Sequence, residues 1–562
     1  MKILIEGEKY KLEQLTDIFD DPKFYHQEGQ DATILSVGYY HSYEKGELIY
    51  MLPKVFMAGS VKTVFDIDKD ELYSIDKVET FKHKEKYNWI RQISVYFYNS
   101  LLEFKRRNKF STIVQSSLSA NLNTNLNDKE YSYLDLLLSF VNFYKKNKNH
   151  ILFKHIEFKS QEAKKPNWEK TIRKSIPLIT KDKKPIYNIF RNKKKIVNTE
   201  EELLTYYFSI LNKLNIDHNL YLNIDKSFTL IKGSKFELLQ KNGIAKLRKI
   251  KYRYFNDTLK KMYHLCEIYF SQTDTSSTSK KKEEFISVNN YNLVFEDMID
   301  KLFSNSIIEK KTNDGTTLKH LKYNDDGKII DHIFDYQSLL DTSDIFYIGD
   351  SKYYKSDNIA GKVSKYKQFT YARNVIQYNI EFFNDSNKKE YYLPNIRYRD
   401  EVTEGYNITP NFFIYGYIDN YNNFESHNLK PKAEIVKSSH WPDRLFDRDT
   451  LFVHQYKINF LYVLKAYSQF DKQTIGVFRK ETKLMFRNNF IDFFSNQSKS
   501  DFELYEYQKN DFNNFVENNF RLINGKCFVT NENKLILARH KLDNTLNSLL
   551  SDFKNYEFKK SQ

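Results

Sequence analysis

The 562 residues are too many for one core and imply several domains. With 40% hydrophobic residues, 43 Tyr and 45 Phe against only 15 Gly and 9 Pro, the composition excludes a disordered or fibrous chain. The formal net charge of +15 favours a polyanionic partner, nucleic acid before a membrane surface. No apolar run reaches the roughly 20 residues of a spanning helix, and the opening MKILIEGEKYKLEQL lacks a signal-like apolar stretch. The expectation is a soluble cytoplasmic protein with no membrane contact. Cys266 and Cys527 are too few and too far apart for a disulfide framework or a cysteine zinc site, and read as small apolar residues.

Residues 1–80 hold short alternating runs, ATILSVGYY and GELIYMLPKVFM, and read as a β-rich N-terminal unit. From 81 to 270 the period changes. Residues 86–118 and 131–147 place apolar groups at helical spacing, and a further helix opens after Thr199 as N-cap, with the stretch from Lys183 leading into it in the same register. KNGIAKLRKIKYRYFNDTLKKMYHLCEIYF reads as one more long helix or a pair. This mainly helical region is the expected surface for assembly, docking or DNA engagement. At 271–284, SQTDTSSTSKKKEE breaks all periodicity and reads as a linker.

Residues 285–425 form the informative segment. NNYNLVFEDMIDKLFSNSI is expected to be a helix whose stripe of Leu293, Phe295, Met298, Ile299, Leu302 and Phe303 faces a core and leaves Glu296 at one edge. LKHLKYN, GKIIDHIFDY and DIFYIGDSKYY are three short strands bounded by NDDG and LLDTSD. A helix, AGKVSKYKQFTYARNVIQYN, and a strand, FFIYGYI, complete the order αβββαβ. Residues 426–562 read as an α+β extension packed on this core. The expected fold class is thus α/β in the core and α+β overall.

Two of these strands carry charge in an apolar setting. Asp350 and Lys352 are two residues apart, so they share one face of a strand, roughly 7 Å apart along it. Asp331, flanked by Ile330 and Ile333, can meet Asp350 if the two strands pair. Converging buried carboxylates need a cation, and oxygen ligands suit Mg²⁺, which makes Asp331 and Asp350 the candidate metal ligands. Lys352 would be a fixed positive charge beside a phosphate, and Glu296 would orient water or complete the outer shell.

This pattern of a helix acid, a strand Asp and an Asp-x-Lys resembles the PD-(D/E)XK nuclease superfamily through Glu296, Asp331 and the pair Asp350/Lys352, with Ile330 where a proline is common. Gln368 and Tyr371 in KYKQFTYAR are similar to the Gln/Tyr helix of some members, one residue closer together than usual, and are accessory candidates. A narrower resemblance rests on the order of several strings: SVGYYHS, YMLPKVF, PNWEKTIRKSIPLI, IIDHIFDY, IGDSKYYK and RLFDRDTLFVHQYKINFLYVLKAYS. Together they look like the nuclease subunit of LlaJI-type restriction systems, related to McrC. That resemblance implies a restriction-endonuclease-like core, Mg²⁺ with Mn²⁺ as a substitute, a DNA substrate, and a separate AAA+ NTPase of the McrB kind. The chain contains no G-x-x-x-x-G-K-[ST], and AGKVS at 360–364 lacks both the glycine lead-in and the hydroxyl after lysine, so a motor must come from another polypeptide.

The expected function is a Mg²⁺-dependent DNA endonuclease subunit of a restriction or anti-phage defence system. Two other readings stand beside it. A non-catalytic McrC-like accessory subunit would bind and stimulate an NTPase, its nuclease fold serving as scaffold. An RNA-binding protein would explain charge and aromatics but leave the 331/350/352 arrangement unexplained. The remaining polar residues have plainer readings: His332 as a packed or capping residue on the face opposite Asp331, Asp335, Asp341 and Asp344 as turn and strand-end acids, and Arg444, Asp447, Arg448 and Asp449 as a solvated or internally paired charge cluster rather than a contact to DNA or a partner. The basic runs KRRNK, RNKKK and KLRKIKYR are solvated faces that together add phosphate contacts.

Overall fold

A computed structural model describes residues 2–46, 48–73, 83–108, 114–116, 133–147, 153–197, 201–218, 222–224, 228–273, 283–304, 330–340, 344–353, 364–370, 372–373, 387, 397–469, 471–496, 498–558 and 560. Its mixed α/β architecture is organised by two five-stranded sheets. No helix among the described residues is long and apolar enough to cross a membrane.

In the N-terminal sheet the order is Lys2–Ile5, Leu48–Leu52, Ser36–Ser42, Glu283–Asn289 and Val114–Ser116. The uninterrupted apolar runs are explained by burial on both faces: Ile3, Val37, Tyr39 and Tyr50 join the largest core, whereas Leu4, Tyr40, Ile49 and Met51 join a second core under a small three-stranded sheet. The Glu283–Asn289 strand differs from the sequence reading. Glu283 and Glu284 fall in the expected linker and the rest at the start of the expected core, yet the whole segment pairs with Ser36–Ser42 over 240 residues away. Of the expected linker, residues 274–282 lie outside the described residues.

The middle region holds the helices His83–Arg107, Tyr133–Asn147, Glu202–Asp217, Ser234–Ile250 and Asp257–Thr273. The first ends at Arg107, and the expected helical continuation to 118 contains the Val114–Ser116 strand instead. The residues from Lys183 onward, read as a helical lead-in, form part of an arm: Phe190–Val197 pairs antiparallel with Phe153–Ser160, enclosing the helix Trp168–Lys174 and a two-stranded ribbon of Leu178–Ile179 and Pro185–Ile186. Basic residues at alternate and consecutive positions mask strand periodicity, because Lys side chains are tolerated on either face of a solvated ribbon.

The central sheet is ordered His332–Gln337, Asp344–Lys352, Pro410–Tyr417, Leu451–Asn459 and Lys430–Ser438; both outer pairs are antiparallel and both inner pairs parallel. Its last two strands lie in the expected extension yet belong to the same sheet. The helices Tyr291–Phe303, Phe460–Gln469 and Lys472–Ser495 contribute to the core on one face, where Phe303 stacks on Phe486 at 5.8 Å and Phe486 on Tyr456 at 4.0 Å. On the first of these helices Phe295, Met298, Ile299, Leu302 and Phe303 are buried as expected, whereas Leu293 is exposed and Tyr291 and Val294 complete the stripe. Gly349 lets Phe412 lie across the neighbouring strand: a Cβ there would stand 2.0 Å from the Phe412 ring. A further four-stranded sheet near the C-terminus packs on Phe446 and Phe452 through Phe528 and Ile536. Both cysteines are buried and unbridged.

Two buried histidines make stability depend on pH. Burial lowers the pKa of His218 and of His454 to about 4. In the unfolded chain each titrates near 6.5, so below that pH the unfolded state binds protons that the folded state does not, and stability falls as pH drops from 6.5 towards 4. The loss is on the order of 3 kcal/mol per histidine at full effect. Urea unfolding at pH 7 and pH 5 should show it, and the double variant His218→Gln/His454→Gln should flatten the dependence; an unaltered dependence would place its source elsewhere.

Candidate active site

The Asp344–Lys352 strand sorts its side chains by alternation. Ser351 is buried and bonds to Nε2 of His332 at 2.9 Å, and His332, fully buried, stacks over Phe412 on the helix-covered face. Asp350 and Lys352 therefore point to the opposite face, where Lys352 Nζ lies 5.4 Å from the centre of the Phe413 ring. The two form an ion pair, with 14% and 18% of their side chains exposed.

Asp331 stands one residue before the His332–Gln337 strand. His332 pairs with Gly349, so one further step of the antiparallel register sets Asp331 opposite Asp350. The two carboxyl groups are hydrogen-bonded to each other. Burial above all, then the charge and hydrogen bond of Asp350 and the charge of Glu296, hold the Asp331 carboxyl well above the usual carboxylate range, with Lys352 opposing. Glu296 is delivered by the Tyr291–Phe303 helix, whose other acids are engaged elsewhere: Asp297 with Arg107 at 2.8 Å and with the Tyr467 hydroxyl, Asp300 with Arg107 at 3.5 Å. The structure thus brings Glu296, Asp350 and Lys352 within electrostatic reach of Asp331. The strand's end is tied to the N-terminal unit, because the Tyr353 hydroxyl donates to Glu6 and accepts from the Lys54 backbone N–H at 3.2 Å.

The helical residues 364–370 cross the same face, with Phe369 against Phe413 and Tyr415. Gln368 is buried there, and among the described residues its Nε2 finds no hydrogen-bond partner. Tyr371 lies outside the described residues, as do Asp341 and the strand expected at 318–324. Asp335 and Asp344 are strand residues, paired with Phe346 and Gln337. The Arg444 cluster is internally paired: Arg444 with Asp447 at 3.9 Å, and Arg448 and Arg373 with Asp449 at 3.7 and 3.6 Å. Sequence reasoning missed Asn411, 1% exposed and alternating with Phe413 and Tyr415, neither end of whose amide has a partner among the described residues. Its signal was an amide inside the otherwise apolar run PNFFIYGY.

Among the described residues no group of three or more His, Cys, Asp or Glu side chains is set out as a metal site. The donor set here is two carboxylates, Asp331 and Asp350, one of them desolvated and pressed against the other. That fits Mg²⁺, which keeps several waters and takes one or two protein carboxylates.

No protein-family model matches the chain, and no curated protein matches it. Among solved structures, the "Refined half-complex from tetradecameric assembly of Thermococcus gammatolerans McrB AAA+ hexamers with bound McrC" is similar with a TM-score of 0.28 and 11% identity, over 86% of this chain and 99% of that chain.

Proposed function

We propose that this chain is a Mg²⁺-dependent DNA endonuclease subunit of a restriction or anti-phage defence system, working with a separate AAA+ NTPase. The observation that carries the reading is the meeting of Asp331, Asp350 and Lys352, drawn from two strands, with Glu296 near them from a helix. Asp331 and Asp350 would hold the metal, which when bound polarises a phosphate and lowers the pKa of a coordinated water. In hydrolysis the water oxygen bonds to phosphorus as the P–O bond to the leaving oxygen breaks, and that oxygen takes a proton. Lys352 places a positive charge where the phosphate gains negative charge, and Glu296 orients the water. The NTPase partner and the DNA substrate follow from the sequence resemblance and from the missing phosphate-binding loop.

A second reading, the non-catalytic accessory subunit, is favoured by the arm. Residues 153–197 carry 14 Lys and Arg against 4 Asp and Glu, yet Trp168, Ile172, Ile176, Leu178, Ile179 and Ile186 are all exposed on it. Phosphate binding does not require so much aliphatic surface, whereas protein docking does.

Plasmid cleavage separates the two. The purified chain is incubated with supercoiled DNA in Mg²⁺ or EDTA, alone, with a McrB-like AAA+ NTPase and its nucleotide, and with that NTPase plus a non-hydrolysable nucleotide. Cutting should require Mg²⁺, and site-specific cutting should require the NTPase and a hydrolysable nucleotide. Stimulated nucleotide hydrolysis without any cutting would replace the nuclease by the accessory reading. Efficient specific cutting by the isolated chain would remove the partner and leave the nuclease.

A further inference from the structure

One rung of the central sheet repeats lysine from the candidate site to the sheet edge. Lys352 pairs with Tyr415, Tyr415 with Lys457, and Lys457 with Lys430. Side chains on one rung share a face, and Lys352 shares its face with Asp350. The edge strand is irregular between Pro431 and Ala433, and from there Lys432 reaches inward, its Nζ 3.9 Å from the centre of the Tyr415 ring. Lys430 and Lys457 approach the Tyr417 ring at 4.6 and 6.0 Å. Lysines thus stand over a floor of buried aromatic rings, which restrains side chains that would otherwise lose rotamer freedom on binding. Strands lie about 4.8 Å apart, so the row extends roughly 14 Å from Lys352. Lys430 also bonds Asp419 at 3.1 Å, a pair half exposed on both sides and weak enough for a phosphate to displace. To the other side of Asp350 comes Asp331, and the described residues that follow it in the edge strand and the turn after it, 332–340, contain no Lys or Arg.

We propose that this row is a one-sided phosphate track: the DNA strand to be cut crosses the sheet perpendicular to its strands, and the phosphates on one side of the cleaved bond lie along Lys352, Lys432, Lys457 and Lys430. The identity of the cut strand rests on the nuclease reading above; the track itself is a statement about binding. Counted as one phosphate per lysine, the track accommodates roughly three to four phosphates on its side.

Binding is measured with the Asp350→Ala chain, which should hold DNA without cutting it, by fluorescence anisotropy of a labelled duplex across a KCl series. In that background the triple change Lys430→Gln/Lys432→Gln/Lys457→Gln should lower the log–log salt slope by about two to three, from roughly 0.9 per lost contact. The corresponding triple Lys→Arg variant should keep the slope, and both should melt as the parent does. If the glutamine triple misfolds, the three single Lys→Gln variants are measured instead, each expected to lower the slope by about one. An unaltered slope in folded variants overturns the track. With the cleaving chain, substrates shortened stepwise should lose cleavage on one side of the cut within about four nucleotides and tolerate shortening on the other; equal sensitivity on both sides also overturns it. A lowered slope in a protein that never cuts DNA would end the nuclease reading and leave the track standing.

Discussion

Replacing Asp350 by Ala should abolish DNA cleavage, and Lys352→Ala should lower it by about 10²–10³-fold, the effect of removing one electrostatic stabiliser of a transition state. The two losses have different causes and can be told apart. Under the proposed reading Asp350 would supply oxygen ligands beside Asp331, to which it is hydrogen-bonded, so its removal would dismantle the donor pair and should weaken Mn²⁺ binding measured by calorimetry. Lys352 has only donors, so its removal should leave metal affinity largely intact while slowing the chemistry. Asp331→Asn keeps the side chain's volume and should behave as Asp350→Ala does. Melting each variant beside the parent separates loss of the site from loss of the fold. Parental cleavage rates in any of the three, at matched Mg²⁺ and salt, would refute the site.

The largest effect on folding should come from Gly38→Ala. Gly38 lies within the Ser36–Ser42 strand at φ +151°, and a Cβ there would stand 2.1 Å from the carbonyl oxygen of Ile286 in the neighbouring strand. That obstacle is backbone, which no rotamer change can move aside. Separating the two strands would also break the pairing that joins the N-terminal unit to residue 283 onward, so a loss on the order of 4 kcal/mol is expected from denaturant melts. Gly349→Ala meets the Phe412 ring, a side chain that can swing, and should cost less. Gly476→Ala, inside the Lys472–Ser495 helix with nothing within 4 Å of its Cβ, should stabilise by about 0.5–1 kcal/mol. Equal melting of the Gly38 and Gly476 variants would refute the packing argument.

These expectations draw on features that differ in how far along the chain they are encoded. Asp350 and Lys352 share a face because of the two-residue period of a strand, which eleven consecutive residues display. The helix Tyr291–Phe303 and the strands His332–Gln337, Asp344–Lys352 and Pro410–Tyr417 were likewise legible, since each is a local run with its own periodicity and punctuation. Within such runs, small errors came from reading the stripe too coarsely: Leu293 lies just off the 3.6-residue face that Val294, Met298 and Phe295 occupy.

The sequence by itself determined the types of these elements, the candidate residues Glu296, Asp331, Asp350 and Lys352, and the net positive charge. Only the tertiary structure decided which strands are neighbours. The register that sets Asp331 opposite Asp350, the union of Glu283–Asn289 with Ser36–Ser42, the entry of Lys430–Ser438 and Leu451–Asn459 into the central sheet, and the lysine rung are all pairings between distant segments. The physical reason is that a strand's alternation is set by its own backbone, whereas its partner is chosen by the packing of whole faces. Many apolar strands in this Tyr- and Phe-rich chain offer equivalent edges, and the choice among them is made by core packing and steric fits such as Gly38 against Ile286 and Gly349 under Phe412, which no single segment contains.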